Sequence, residues 1–416
     1  MQTLPGFRDF YPDDCARRNY ILATWREVAR RYGFVEYDGP VLEPMALYEK
    51  KSGGELVGQL FDFTDKGERH VAMRPEMTPT LARMVAARER DFKKPLKWFC
   101  VPQFFRYEKQ QRGRLREFYQ LNCDIIGEAS PAADAEMVAV LIDTLRGFGL
   151  NEQDFVVRLS SRTAWQQFFT AAGGSPDSED EFFQIVDKAE RMPPERTDGA
   201  LAKFGLTAAQ VLEFMRSKEP TADLAARGLG GCVEIDYAIV RGLAYYTGFV
   251  FEVFDRSKKE RALAGGGRYD TLLSMMSNGK IDLPALGFGM GDVVLGNLIS
   301  DTLAAKALMD RWIAAQTATD IYILIPDPSR RTESMKLAQQ LRDGGYRVEY
   351  SLTVANEYKP ENKQFEDAEK RSKARCLVRL ADNDGVELRE TAVRVWRTVP
   401  RPDLLRELGK LLHKSE

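Results

Sequence analysis

Histidine is nearly missing from this chain: His70 and His413 are the only two in 416 residues. A Ser-His-Asp triad or a His-rich metal site needs imidazoles, so neither is expected, and acid or base work falls to carboxylates or to the substrate itself. Cysteine is scarce and unpatterned. Cys15, Cys100, Cys123, Cys232 and Cys376 are odd in number and never spaced C-x-x-C, which excludes a disulfide framework or a zinc knuckle and reads as reduced core thiols. No stretch approaches about 18 uninterrupted apolar residues, and MQTLPGFRDFYPDD has no apolar core, so neither export nor membrane spanning is expected and the expected address is cytoplasmic. An excess of one charge is also lacking. The 60 Lys+Arg stand against 62 Asp+Glu, a formal net charge of -2, which excludes a strongly basic, histone-like binder but leaves room for a local basic surface.

The length predicts two or three domains at roughly 100 to 200 residues each. Residues 14–32 carry Ile21, Leu22, Trp25 and Val28 at helical spacing, and Gly33 offers a left-handed stop. A strand is expected over 34–42, with Pro40 at an edge or a break in pairing. A hairpin follows, turning at Asp65-Lys66-Gly67-Glu68, and then a helix runs from Pro75 through Leu81, Met84 and Val85. Two antiparallel strands are expected over 98–105 and 118–126, joined by a long charged loop. Residues 161–231 read as an inserted helical module. Strands resume at 233–240 and 249–254, and Gly265 to Gly267 read as a turn or bulge. Helices wrapped around mainly antiparallel strands make an α+β fold, with one large domain over 1–320. A helix over 304–319 links it to a small α/β domain over 321–416. That tail carries 19 Lys+Arg and 16 Asp+Glu, so it is weakly basic within a weakly acidic whole.

The loop from Arg106 to Glu117 concentrates charge: Arg106, Lys109, Arg112, Arg114 and Arg116 against Glu108 and Glu117, a local +3. Most charge runs are solvated loops. This one is flanked by strands, contains Gly113, and spaces its arginines so that several forks could converge on one polyphosphate, which points to an ATP-type ligand.

FRYE at 105–108 with RGRLREF at 112–118 resembles motif 2 of class II aminoacyl-tRNA synthetases, and residues 34–44 resemble motif 1. RPEMT at 74–78, QLNCDIIG at 120–127, VRGLAYYTG at 240–248 and GGGRYD at 265–270 resemble the histidyl-tRNA synthetase family in particular. With LPGFRDF at 4–10 the resemblance runs to about residue 291. It implies a class II antiparallel-sheet catalytic domain, a C-terminal anticodon-binding domain, and ligation of L-histidine to tRNA(His) through a histidyl-adenylate. ATP and Mg2+ are implied, with no metal cage made of protein alone, and a homodimer is implied by motif 1.

In the first step of that reaction a carboxylate attacks the α-phosphorus, so arginines and magnesium suffice and no strong base is needed. By resemblance, Arg106 and Arg241 hold the α-phosphate and the carboxylate. Glu108, Arg112, Arg114 and Arg116 serve ATP, and Phe118 stacks on adenine. Glu76, Thr78 and Gln120 bind the amino group of histidine, while Asp124, Tyr245 and Tyr246 bind its imidazole. Taken singly, Tyr245 and Tyr246 also read as strand aromatics and Glu76 as a first-turn helix carboxylate.

Two positions depart from the family pattern: Ala244 stands where bacterial members carry Asp, and Val294, in GFGMGDVVL at 287–295, stands where motif 3 carries its arginine. Arg268 is one cation that could compensate. The alternative from another class is a catalytically silent paralogue such as the ATP phosphoribosyltransferase regulatory subunit. The retained tail, where KQFEDAEK at 363–370 resembles the family and DNDGVELRE at 382–390 matches loosely, favours the ligase.

Overall fold

A computed structural model describes residues 2–49, 58–109, 111–189, 192–216, 222–236, 246–257, 259–352, 360–382 and 385–412. The chain divides into two compact units, Met1–Asp310 and Arg311–Glu416.

The first unit begins with the helix Pro12–Arg31, whose start is set by a proline at N1 and whose end is set by Gly33 at φ +76. Its buried stripe, Ile21, Trp25, Val28 and Ala29, follows the expected spacing. The expected strand over 34–42 is instead split. β1 (Val35–Glu36) pairs with the main sheet, and after Gly39-Pro40 the chain leaves it to form β2 (Leu42–Pro44) in a three-stranded sheet with β3 (Asp62–Thr64) and β4 (His70–Met73). Pro40 has no N–H to continue a ladder. The β3–β4 turn is built on Asp65, whose carboxylate accepts from the backbone N–H of Gly67 and of Arg69, both at 2.9 Å. The helix Thr78–Arg88 comes next.

The main sheet then gathers β5 (Leu96–Cys100), β6 (Gln103–Phe105), β7 (Glu117–Ile126), β8 (Phe155–Ser161), β9 (Val233–Ile235), β10 (Phe249–Asp255), β11 (Ala264–Arg268) and β12 (Ala285–Gly291), nine strands with β1. The strand expected over 98–105 is thus two strands, broken around Pro102 for the same reason as at Pro40. The order is β1-β5-β7-β12-β11-β10-β8-β9, with β6 beside β7. All neighbours are antiparallel except the β1–β5 and β8–β9 pairs. Between β8 and β9 lie the helices Arg162–Ala171, Glu179–Ala189, Pro194–Leu201, Ala208–Arg216 and Ala222–Ala226, with a separate aromatic core of Trp165, Phe169 and Phe182.

Gly265 to Gly267 are not a turn. They lie inside β11, and at two of them neighbouring atoms leave no room for a side chain: a Cβ on Gly266 would lie 2.5 Å from the Gly287 carbonyl oxygen, and one on Gly267 would lie 2.7 Å from that of Phe249. The requirement is imposed by the facing strands, which a local reading cannot see.

In the second unit, β13 (Ile321–Ile323), β14 (Val348–Tyr350), β15 (Cys376–Leu380), β16 (Gly385–Glu390) and β17 (Arg397–Pro400) form one sheet in the order β14-β13-β15-β16-β17, parallel through the first three and antiparallel beyond. The helices Arg331–Asp343 and Leu404–Leu412 pack their leucines on it; Leu404, Leu408 and Leu412 recur at the four-residue spacing of one helical face. Buried Gln364 continues the β13 ladder with its amide: it donates to the Ile325 carbonyl and accepts from the Ile325 N–H, both at 2.9 Å.

Candidate active site

Alternation along β7 places Phe118, Gln120, Asn122 and Asp124 on one face of the sheet. Across from them on β12 stand Gly291, Gly289 and Gly287, paired with Gln120, Asn122 and Asp124 respectively. These glycines make the space. A Cβ on Gly289 would lie 2.8 Å from the Gln120 amide, and one on Gly287 would lie 2.2 Å from Asp124 Oδ1. The same row continues through Gly265 on β11 to Glu252 on β10 and Arg158 on β8.

Two adjoining cavities occupy this face. The smaller, about 390 Å³, is lined by Glu76, Thr78, Gln120, Asp124, Tyr246 and Tyr269, among others. The larger, about 690 Å³, is lined by Arg106, Glu108, Gly113, Arg114, Phe118, Arg158, Asp236, Arg261 and Val294, among others. Arg106, Gln120, Glu252, Gly265 and Gly289 line both and mark their junction.

In the smaller cavity Asp124 is buried and accepts a hydrogen bond from the hydroxyl of buried Tyr269. Glu76 is also buried, just ahead of the helix that starts at Thr78. Buried Arg74 pins that corner, donating to Asp38 Oδ1 and the Gly39 carbonyl at 2.8 Å and to the Gln103 carbonyl at 3.0 Å. Burial pushes the Cys100 and Cys123 thiols well above their ordinary range, which keeps them uncharged.

In the larger cavity Arg106 donates from Nε to the Pro75 carbonyl at 2.9 Å, with its guanidinium carbon 5.3 Å from the centre of the Phe118 ring. Arg114 pairs with buried Glu108 at 2.6 Å, and Arg158 pairs with Asp236 at 3.0 Å. Gly113, at φ +75, lets the charged loop turn back between Gln111 and Arg114.

The structure therefore brings together Glu76, Thr78, Gln120, Asp124 and Tyr246 in one cavity and Arg106, Glu108, Arg114 and Phe118 in the other. Arg112 and Arg116 line neither. Arg112 pairs with Glu260 at 2.8 Å, and Arg116 lies over the Tyr107 ring at 4.0 Å. Arg241, Ala244 and Tyr245 lie outside the described residues. Arg268 is not placed to compensate for Val294: it is buried at the end of β11, 2.7 Å from Asp134 and donating to the carbonyls of Glu128 and Ser130. Its charge is spent on fixing the start of the helix Pro131–Gly147. Tyr269 and Glu252 also line the site, beyond the residues that the family resemblance implies. The first sits in the GGGRYD segment, a usable signal, whereas Glu252 has none beyond its alternating strand. His70 is exposed in the hairpin, its Nε2 2.8 Å from Asp62, away from both cavities.

A mainly antiparallel sheet carrying two joined polar chambers, one rich in arginine and one lined by carboxylates and tyrosines, is the core of a class II aminoacyl-tRNA synthetase. The comparisons narrow the class. The family model described as histidyl-tRNA synthetase matches residues 6–193 and 206–291. The chain is similar to the histidine–tRNA ligase of Opitutus terrae, at 42% identity over 96% of both chains, and to that of Leptospira biflexa, at 36% over 99% of this chain and 98% of the other. Its fold is similar to that of histidyl-tRNA synthetase from Nostoc sp. PCC 7120, with a TM-score of 0.75, 23% identity, and coverage of 98% of this chain and 99% of that one. The chain belongs to the histidyl-tRNA synthetase family.

Proposed function

We propose that this chain is an active histidine–tRNA ligase that activates L-histidine with MgATP and transfers it to tRNA(His). The observation that carries the reading is the junction of the two cavities at Arg106 and Gln120, where a carboxylate from the smaller chamber meets a phosphate from the larger. The near-full-length alignment with relatives named as ligases favours this reading over the silent-paralogue alternative.

Histidine occupies the smaller cavity. Glu76, Thr78 and Gln120 accept from its ammonium, and Asp124 faces one imidazole nitrogen while Tyr246, with Tyr245, faces the other side. Tyr269 holds Asp124 in place through its hydroxyl. An amino acid without those ring nitrogens could not make the hydrogen bond to Asp124, which is how such a pocket discriminates. ATP occupies the larger cavity, with adenine against Phe118 and the phosphates between Arg106, Arg114 and the loop.

The histidine carboxylate oxygen attacks the α-phosphorus, and pyrophosphate leaves. Arg106, together with Arg241, neutralises the charge that gathers on the α-phosphate oxygens. Magnesium arrives on the ATP phosphates as part of the substrate; among the described residues no group of three or more His, Cys, Asp or Glu side chains could hold a metal ion. In the second step the terminal ribose hydroxyl of the tRNA attacks the histidyl carbonyl and AMP leaves.

We assign the catalytic role to residues 1–320 and anticodon binding to the basic 321–416 segment. A homodimer is proposed through residues 34–44. Val35, Val41 and Leu42 are exposed there by 63%, 44% and 46%, and β1 ends the main sheet, so an apolar edge is open to a second copy. No described helix is long and apolar enough to cross a membrane, and a cytoplasmic address is part of this proposal. Histidine-dependent exchange of pyrophosphate into ATP tests the activation step without tRNA.

A further inference from the structure

The turn that joins β10 to β11 is tightly built. Buried Asp255 accepts from the backbone N–H of Glu260 at 2.8 Å and of Lys259 at 3.4 Å, and also from the Ser257 hydroxyl. Two side chains of this turn then reach the charged loop. Glu260 holds Arg112 at 2.8 Å and accepts from the Asn297 amide at 3.4 Å, while Arg261 donates to the side-chain oxygen of Gln111.

Arg261 lines the larger cavity with Arg106, Arg114 and Arg158. These cations are not equivalent. Arg114 and Arg158 are each paired with a carboxylate, and Arg106 is bonded to a carbonyl and lies 4.0 Å from Glu108. Among the described residues Arg261 has a neutral amide as its partner. The wall at Val294 supplies no charge, and Gly113 closes on it so that a Cβ there would lie 3.0 Å from Val294 Cγ2. A guanidinium that gives up one bond to an amide gains a charge-assisted, forked contact when a phosphate enters.

We propose that Arg261 is a phosphate-binding residue of the nucleotide chamber, aimed by the Asp255-capped turn at the polyphosphate tail of ATP. This rests on the assignment of the larger cavity to ATP. It makes the turn after β10, rather than the wall at Val294, the source of the extra cation.

The test is equilibrium dialysis of the full chain against radiolabelled ATP and, separately, radiolabelled adenosine, for the parent and for Arg261→Ala. The expected result is an affinity for ATP lowered about tenfold, in the range of one charge-assisted bond, with adenosine affinity unchanged because the nucleoside does not reach Arg261. Unchanged ATP affinity in a parent that binds ATP would overturn the role of Arg261 alone. Equal losses for both ligands would overturn it as well, since that is damage to the chamber rather than a lost phosphate contact. A parent that binds neither ligand would overturn the ATP assignment and the proposal with it.

Discussion

Asp124 shows how much of the site depends on atoms that are not there. Its carboxylate fits because Gly287 has no Cβ, and it is held because Tyr269, 145 residues further on, donates to it. Replacing Asp124 with alanine removes the proposed imidazole partner together with its hydrogen bond from Tyr269. The expected outcome is a histidine KM raised on the order of a hundredfold, near what loss of a charged hydrogen-bond partner costs, with the ATP KM little changed. Steady-state exchange kinetics would check this, and an unchanged histidine KM would remove Asp124 from the pocket. Asp124 was legible because it sits in a recognisable segment, QLNCDIIG. A run of glycines carries no alternation and so reads as a turn, whereas the crowding that demands Gly266 and Gly267 comes from the facing strands β10 and β12. Tyr269 had the opposite problem: its segment was recognisable, but nothing local says where its hydroxyl points.

At the scale of elements, what short-range physics decides was readable. The helix Pro12–Arg31 follows its apolar spacing to a glycine stop, and the β3–β4 hairpin turns on an Asp-Lys-Gly-Glu sequence. Breaks were harder to place. Pro40 and Pro102 each end a ladder, and β2 joins the β3–β4 hairpin in a second sheet that no periodicity announces. The start of the helix Pro131–Gly147 illustrates an element fixed by tertiary charge. Arg268 sits 2.7 Å from Asp134, yet burial outweighs that attraction and raises the Asp134 carboxyl from 3.8 to about 6. The folded state therefore holds a proton there that the unfolded state has already released, so this group's contribution to stability is lost as pH rises from about 4 to about 6. An Asp134→Asn variant keeps the uncharged form throughout. Its stability relative to the parent should improve across that window in denaturant melts, and a constant difference from pH 4 to pH 6 would contradict the assignment.

For the whole molecule, near-zero net charge hid an uneven distribution: the loop at 106–117 carries +3 and the 321–416 segment is weakly basic, offset by acid elsewhere. The two compact units, Met1–Asp310 and Arg311–Glu416, each build their own apolar core. The proposed dimer was suggested by family resemblance, and the open edge at β1 supplies its physical reason. Sedimentation at micromolar concentration should give twice the 47.2 kDa chain mass, and a monomer there would overturn the dimer. The scarcity of histidine fits phosphate activation by arginine, in which the imidazole that matters comes as substrate. The most direct measurement of that account is amino-acid-dependent ATP–pyrophosphate exchange by the purified chain. Exchange that requires histidine and is not supported by the other amino acids is the predicted result, whereas a folded protein that exchanges with none of them would contradict the ligase assignment.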